Sequence, residues 1–341
     1  MTSKHQFGGK KVRLGDVATY INGYAFKPSD YAEAGKPIIR IQDLTGNAYQ
    51  TNRYSGELMD RYAVIKGDVL ISWSASLGVF EWSGEDAWLN QHIFKVVFDK
   101  MPIERRYFIH HACYVIKKSS SLAHGATMRH LTKKVFENLP FFYPNLSDQT
   151  RIAKRLDLIQ KQISNLNILL KKLDSLIKSR FVEMFEKDIQ NNRFPILSWN
   201  DVFLTTTGKL DSNQARSNGR YPFFTCSKEV LKIDRYAFDC EALLLAGNNA
   251  AGKYDVKHYK GKFNAYQRTY VLRLKNDNWQ YEIFKSQLEE QLDLLRNQSL
   301  GTNTRYLTLK ILSNLKFIVP SLSLQQEFAA FVAQVDKLKF D

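Results

Sequence analysis

The stretch GATMRHLTKKVFENLPFFYPNLSDQ, residues 125–149, returns as GTNTRYLTLKILSNLKFIVPSLSLQ, residues 301–325, at a constant offset of 176 positions and without a gap. Twelve of the 25 positions are identical: Gly125, Arg129, Leu131, Thr132, Lys134, Asn138, Leu139, Phe141, Pro144, Leu146, Ser147 and Gln149 all recur. Gln91 and Gln267 keep the same offset. Asp16-Val17 with Asp201-Val202, Gly23 with Gly208, and Pro37 with Pro222 instead stand 185 apart. The first half therefore carries nine additional residues between Pro37 and Gln91. Self-similarity of this extent identifies two copies of one domain, each closing on a Pro-x-Leu-Ser-x-Gln signal.

Between the copies runs QTRIAKRLDLIQKQISNLNILLKKLDSLIKSRFVEMFEK, and neither Gly nor Pro occurs from Gln149 to Arg193. Ile152, Leu156, Ile159, Ile163, Leu166, Leu170, Leu173 and Ile177 alternate four and three apart, the seam of a coiled coil. The step to Phe181 is four again, a stutter. Ser147 and Asp148 supply N-cap chemistry after Pro144. The pattern predicts one unbroken helix of roughly 38 residues and about 57 Å, a rigid spacer between the copies. A one-sided core helix lying under a sheet is the alternative.

Each copy reads as α+β. KPIIRIQDL, GDVLISWS and HIFKVVF in the first copy read as strands, echoed by RYPFFTCS, EALLLAG and RTYVLRL in the second. A helical stretch follows in each, ERRYFIHHACYVIKK and NWQYEIFKSQLEEQLDLLRNQ, then a polar loop and a last apolar strand. The predicted division is a first domain over 10–148, the heptad helix over 149–192, a second domain over 193–324 and a shortened second helix over 325–341.

One segment imitates a nucleotide site. ALLLAGNNAAGKY (Ala242–Tyr254) places Gly247 and Gly252-Lys253 at phosphate-loop spacing, but the closing residue is Tyr254 instead of Ser or Thr. Its counterpart VLISWSASLGVF sets Gly78 opposite Gly252 and has no Lys. The following DVKHYKGKF alternates like a strand, whereas a phosphate loop opens a helix. A hairpin turn with positive φ at Gly247 or Gly252 fits better. A P-loop-like nucleotide-binding enzyme remains the lesser alternative, tested by Lys253→Ala.

With 341 residues, 44% apolar and 13% aromatic, the chain can bury sizeable cores in two units. Its 49 Lys+Arg against 34 Asp+Glu give a net charge of +15. That excess favours a polyanion, most simply nucleic acid, the alternative being a solvated basic surface. Three cysteines without C-x-x-C spacing argue against a disulfide framework or a zinc knuckle and fit a reducing compartment. MTSKHQFGGKK lacks the apolar core of a signal peptide, and no run reaches membrane-spanning length. A soluble cytoplasmic protein is expected.

Catalytic chemistry finds no support. The chain has no Pro-Pro-Tyr or Pro-Pro-Phe methyl-transfer motif, no dinucleotide fingerprint after a strand, and no Glu two residues before a Lys as metal-dependent nucleases use. Its seven histidines lack the spacing of a helical zinc site. Adjacent His110 and His111 are expected on a helix, one inward and one outward, with no ligand role. No catalytic residue and no metal ligand is assigned, and no cofactor is expected on this chain.

Base-reading residue types gather instead in the loops, where Arg suits guanine, Asn and Gln suit adenine, and Ser or Thr suit either. In the first copy the candidates are Arg40, Gln42, Ser72, Ser74, Asn90, Gln91, His92, Thr127, Arg129 and His130. In the second they are Thr225, Ser227, Lys228, Asn248, Asn249, Lys253, Gln267, Arg268, Asn303, Thr304 and Arg305. The recurring pair Arg129/Arg305 can equally be structural or grip phosphates, which carry no sequence information. Residues that differ between copies, such as His130 against Tyr306, are the better readers. Two copies related by a pseudo-two-fold suit two separated half-sites on DNA.

This layout resembles the specificity subunit of type I restriction–modification systems over essentially the whole chain. GATMRHLTKKVFENLPFFYPNLSDQTRIAKRLD and its echo after residue 300 carry the resemblance most specifically. The resemblance implies two tandem target-recognition domains, each reading half of a split DNA sequence and separated by a coiled-coil helix that fixes the spacing. It also implies partners. Modification subunits would carry S-adenosylmethionine and the methyltransferase motifs missing here, and restriction subunits would bring ATP- and magnesium-dependent translocation and cleavage.

The sequence departs from that pattern at its end. Only sixteen residues follow Gln325. Phe328, Val332 and Val335 answer Ile152, Leu156 and Ile159, while Leu166 onward is expected to lack a mate. An uncovered seam is an interaction surface, so self-association or reliance on modification subunits is expected. A decoy that binds modification subunits without productive DNA recognition is the alternative within the same family.

Overall fold

The computed structural model describes residues 8–340 apart from 47–49, 74–75, 123–131, 191–192, 251 and 302–303. The chain forms two units, Met1–Asn165 and Leu166–Asp341. In the N-terminal unit one sheet orders Thr19–Asn22, Ile93–Val97, Val69–Ser72 and Gly78–Glu81, all antiparallel. A second orders Arg53–Tyr54, Lys36–Ile39, Ala87–Leu89 and Ala63–Val64, its central pair parallel. The C-terminal unit runs the equivalent strands as one six-stranded sheet: Phe203–Thr207, Thr269–Leu274, Phe238–Ala246, Val256–Ala265, Tyr221–Phe224 and Leu231–Ile233. Continuity comes from Val256–Ala265, which stays extended where the first copy is interrupted between Glu81 and Ala87.

The registers reproduce the repeat. Ile38 pairs with Trp88 as Phe223 pairs with Asn264, in the same parallel sense. Thr19 faces Val97 as Leu204 faces Arg273, and Val12 faces Phe141 as Leu197 faces Phe317. Each pair moves by 185 on one strand and 176 on the other. Gly23 and Gly208 show why that first offset is fixed. A Cβ on Gly23 would sit 2.1 Å from the Asn90 carbonyl oxygen, and one on Gly208 1.8 Å from that of Ala265. Only a residue without a side chain lets these backbones meet.

Alternating apolar residues on the strands face the helices. Tyr20, Phe94, Val96, Phe108, Phe136 and Phe141 fill the N-terminal core, with Phe108 carried by the helix Arg105–Leu122. Trp199, Phe203, Leu272, Phe284, Leu288 and Phe317 do so in the second unit, with Phe284 and Leu288 on the helix Tyr281–Glu290. Thr132 and Thr308 cap equivalent helical turns by accepting from Val135 N and Ile311 N. Gln149 and Gln325 are fully buried. Gln149 accepts from Glu104 N (2.8 Å) and donates to Pro144 O (2.8 Å). Gln325 accepts from Gln280 N (3.0 Å) and donates to Pro320 O (2.9 Å).

The heptad segment is one helix, Leu146–Gln190, and the C-terminal helix is Leu322–Phe340. Within the second unit these run antiparallel: Arg180 bridges Glu327 (2.7 Å) and Asp174 bridges Lys339 (2.9 Å). Phe328 seats against Phe181 and Phe185, with ring centroids 5.6 and 5.9 Å away. The expectation that residues from Leu166 onward lack a mate holds for Leu166 and Leu170 and is corrected beyond them. Antiparallel pairing carries the short helix onto the far end of the long one, and the stretch left fully exposed is 158–172.

Two local expectations also change. KPIIRIQDL is a strand only to Ile39. Ile41–Leu44 is a helical turn opened by Arg40, whose N–H donates to Asp43 Oδ2 (2.8 Å). Arg40 therefore stands directly after the strand as the cap of that turn, and Gln42 lies within the turn instead of at a strand end. Neither is His110 or His111 simply outward. His110 Nε2 lies 2.8 Å from Asp157 Oδ1, and His111 Nε2 accepts from Phe142 N at 2.9 Å.

Candidate nucleic-acid interface

The second unit gathers its candidates through hydrogen-bonded backbone. The strand Phe238–Ala246 runs out at Gly247, whose N–H donates to Arg268 O (2.8 Å) while its carbonyl accepts from Leu307 N (2.8 Å). Asn248 then pairs with Tyr306 and Asn249 with Arg305 in a short antiparallel ladder. Asn249 Oδ1 accepts from Lys253 N (3.2 Å), and Gly252 turns the chain at φ +64°. The segment is thus a β-turn excursion between two strands, and Lys253 is followed by the strand Val256–Ala265 and not by a helix. The phosphate-loop alternative lacks its fold.

The pairing also corrects the alignment of Gly78 with Gly252. Ile71 faces Val79 across its hairpin and Leu245 faces Val256 across the equivalent one. The second copy's connection is therefore three residues longer, and Gly78 is a strand residue opposite Ser72.

Neighbouring loops lock onto this excursion. Cys226 Sγ reaches Arg268 O (3.4 Å), Lys257 Nζ donates to Ser227 O (3.0 Å), and Tyr270 OH donates to Leu307 O (3.0 Å). Burial pushes the Tyr270 hydroxyl up, so it keeps its proton and remains a donor. Lys257 also pairs with Asp255. Ser227, Lys228, Lys253, Gln267, Arg268 and Thr304 are exposed around this frame, and Asn248 and Asn249 are half-buried. Cationic and amide side chains on one braced set of loops can grip phosphates and pair with base edges.

Two candidates are structural in placement. Thr225 is buried, its hydroxyl accepting from Ser227 N (3.2 Å). Arg305 is half-buried, covers Gly252 with its side-chain methylenes, and donates from Nη1 to Arg296 O (3.0 Å). That places the recurring arginine as a brace at the end of the helix Leu292–Gln298. Exposed Arg296 joins the cluster without a sequence signal, because only the fold brings it beside Arg305.

In the first unit the structure brings together fewer candidates. Asn90 is buried, its Oδ1 accepting from His92 N (3.2 Å). His92 is exposed, 3.3 Å from Gln91 Nε2, with its ring beside Trp73 (5.7 Å). Ser72 is completely buried within its strand. Arg40 is half-buried and donates to Gln50 O (2.5 Å), with Gln42 exposed beside it. Ser74, Thr127, Arg129, His130 and Asn303 lie outside the described residues.

Elsewhere in that unit Asp157 holds Arg106 (2.6 Å) and His110, and the Arg106 guanidinium keeps its carboxyl below the usual range. Among the described residues no three His, Cys, Asp or Glu side chains converge as a metal site. No described helix is long and apolar enough to cross a membrane.

Residues 8–175 and 196–341 match the model of the type I restriction modification DNA specificity domain. The chain is 36% identical over 145 residues to the type I restriction enzyme EcoDI specificity subunit of Escherichia coli, covering 41% of this chain and 31% of that protein. It is 27% identical over 171 residues to the EcoBI specificity subunit of the same organism, covering 49% and 36%. These matches span about a third of the curated relatives' length. The crystal structure of a type I restriction–modification S subunit from M. genitalium shares the fold, with TM-score 0.56 at 15% identity over 99% of this chain and 92% of that one.

Proposed function

The chain belongs to the type I restriction–modification DNA specificity family, and from that premise we propose that its two units read the two halves of one split DNA sequence. The observation that carries this reading is the repeat of register: two α+β units built on the same pairings, each with its own loops. A duplicated frame with divergent loops suits one docking geometry used twice on different bases. The net charge of +15 favours the phosphate contacts that such docking needs.

In this reading the chain is the non-catalytic recognition component. Methyl transfer from S-adenosylmethionine belongs to modification subunits docked on it, and ATP- and magnesium-dependent restriction belongs to further subunits. In the second unit Asn248, Lys228, Lys253, Gln267 and Arg268 contact DNA, with Arg305 and Thr225 shaping the loops that carry them. In the first, Gln91 and His92 do so.

Reconstitution with modification subunits, followed by sequencing of methylated sites, tests the proposal. Methylation at a bipartite sequence is expected, and exchanging residues 10–148 for those of a relative should rewrite one half alone. An exchange that rewrites neither half removes the assignment.

A further inference from the structure

Every residue from 158 to 172 of the helix Leu146–Gln190 is exposed, and the stretch carries the centre of the apolar seam. Ile159 is 50% exposed, Ile163 47%, Leu166 59% and Leu170 40%. We infer that this stripe is the docking surface for the same stripe of a second copy of the chain, the two helices antiparallel.

Three features select that occupant. The seam from Ile152 to Ile177 steps four, three, four, three, four, three, four, the same from either end. A second copy laid in the opposite direction therefore sets Ile163 against Leu166, Ile159 against Leu170 and Leu156 against Leu173, with no seam position left over. Each layer joins the two seam positions of the heptad, the arrangement of an antiparallel pair.

The second feature is charge. The positions flanking the central seam are Gln160, Gln162, Asn167 and Leu169, all uncharged in a chain of net charge +15. Antiparallel symmetry brings Gln160 to Asn167 and Gln162 to Leu169. Lys154, Lys161, Lys171 and Lys172 fall on the outer heptad positions, so no lysine meets its own symmetry mate across the seam. A basic chain can pair with itself here without like-charge repulsion.

Third, the chain already uses this mode once. The far end of the same helix is covered by Leu322–Phe340, antiparallel, with Phe328 buried against Phe181 and Phe185. At the near end the equivalent position, Ile152, lies in an apolar groove with Tyr107, Tyr114, Phe142 and Leu156 that no described residue fills. The second copy's Leu173 would arrive at the mouth of that groove.

Sedimentation analysis of the full chain at micromolar concentration tests this without DNA, so its outcome is independent of the recognition reading. A dimer is expected. The double variant Ile163→Glu with Leu166→Glu should be monomeric while keeping the parent's circular dichroism, since both side chains are already about half exposed. Register is read by disulfide trapping in a background with the native cysteines replaced. A mixture of Ile163→Cys and Leu166→Cys chains should cross-link to each other in preference to themselves. A parent monomer at tens of micromolar, a dimer indifferent to the glutamates, or predominant like-with-like cross-links each overturn the proposal. So does a monomer whose stripe gains protection from hydrogen exchange only when modification subunits are added, which would assign the stripe to them.

Discussion

His111 and Gln287, 176 positions apart, perform one task with different chemistry. His111 Nε2 accepts the N–H of Phe142 at 2.9 Å, and Gln287 Oε1 accepts the N–H of Ile318 at 2.8 Å. Both tie a helix to the apolar strand that precedes a Pro-x-Leu-Ser-x-Gln signal. An amide does this at any pH, whereas an imidazole does so only when neutral.

The first unit should therefore weaken in acid through His111. Burial lowers its pKa below the ordinary 6.5, so the unfolded chain binds the proton more readily than the folded one. Stability from the neutral ring is complete above about pH 6.5 and is lost as pH falls through the folded value. His111→Gln, the second copy's own solution, should flatten that part of the first unit's stability–pH profile while leaving stability near pH 8 within about 1 kcal/mol. His111→Leu should cost about 1–3 kcal/mol at every pH by stranding the Phe142 N–H. Urea unfolding followed by hydrogen exchange in each unit measures both. An unchanged acid limb in His111→Gln would discard the assignment.

Gln149 and Gln325 should be equally irreplaceable. Each buried amide satisfies one backbone N–H and one carbonyl where a helix begins. Leucine at either position fits the volume but orphans both groups, at about 1–3 kcal/mol apiece. Gln149→Leu should destabilise residues 8–165 alone and Gln325→Leu the second unit alone. Hydrogen-exchange protection resolved by peptide checks this, and equal loss in both units from one substitution counts against it.

What could be read in the sequence is what the two copies share. Gly23, Thr132, Gln149 and their mates recur because backbone contacts and caps demand those side chains, so the offsets of 185 and 176 reappear as strand registers. Three things were not legible. Ile39 to Gln42 alternates like a strand, whereas the Asp43 carboxylate accepting from Arg40 N opens a helical turn there. Gly78 and Gly252 align by eye, but the longer second connection gives one a strand and the other a turn. The seam is the same read from either end, so it announces a partner helix and not its direction. In the candidate interface residue type can be read from the sequence, and burial cannot. Asn90 and Thr225 carry suitable groups that the fold spends on its own loops, and Ser72 is buried in its strand.

Among the loop residues of the second unit, half-buried Asn248 and exposed Lys253 should fail differently. Asn248→Ala removes a side chain suited to an adenine edge, worth about 1–3 kcal/mol of discrimination. It should relax one position in one half-site and leave the other half intact. Lys253→Ala and Lys228→Ala should weaken binding to all sequences and lower the slope of log affinity against log salt by about 1 each. Titrations of reconstituted complexes on matched and single-mismatch duplexes, at several salt concentrations, separate the two behaviours. A uniform loss from Asn248→Ala would place that side chain on phosphate.

Three glycines should rank by what a methyl group would meet. At Gly208 the new Cβ lies 1.8 Å from the Ala265 carbonyl oxygen and at Gly23 2.1 Å from that of Asn90, both backbone atoms that cannot swing aside. Alanine at either must part the chain from the turn carrying Gln91 or Gln267, and should cost more than the roughly 1–3 kcal/mol of ordinary overpacking. At Gly252 the obstacle is the flexible Arg305 side chain, 2.9 Å away, and the φ of +64°. The left-handed conformation costs an L-residue about 1–2 kcal/mol, so Gly252→Ala should fold with a modest loss. Because the chain has two units, unfolding should be followed in each separately. Gly23→Ala should affect the first unit only, and the other two the second. If Gly252→Ala proves as damaging as Gly208→Ala, the close approach of the two backbones is not what fixes these positions.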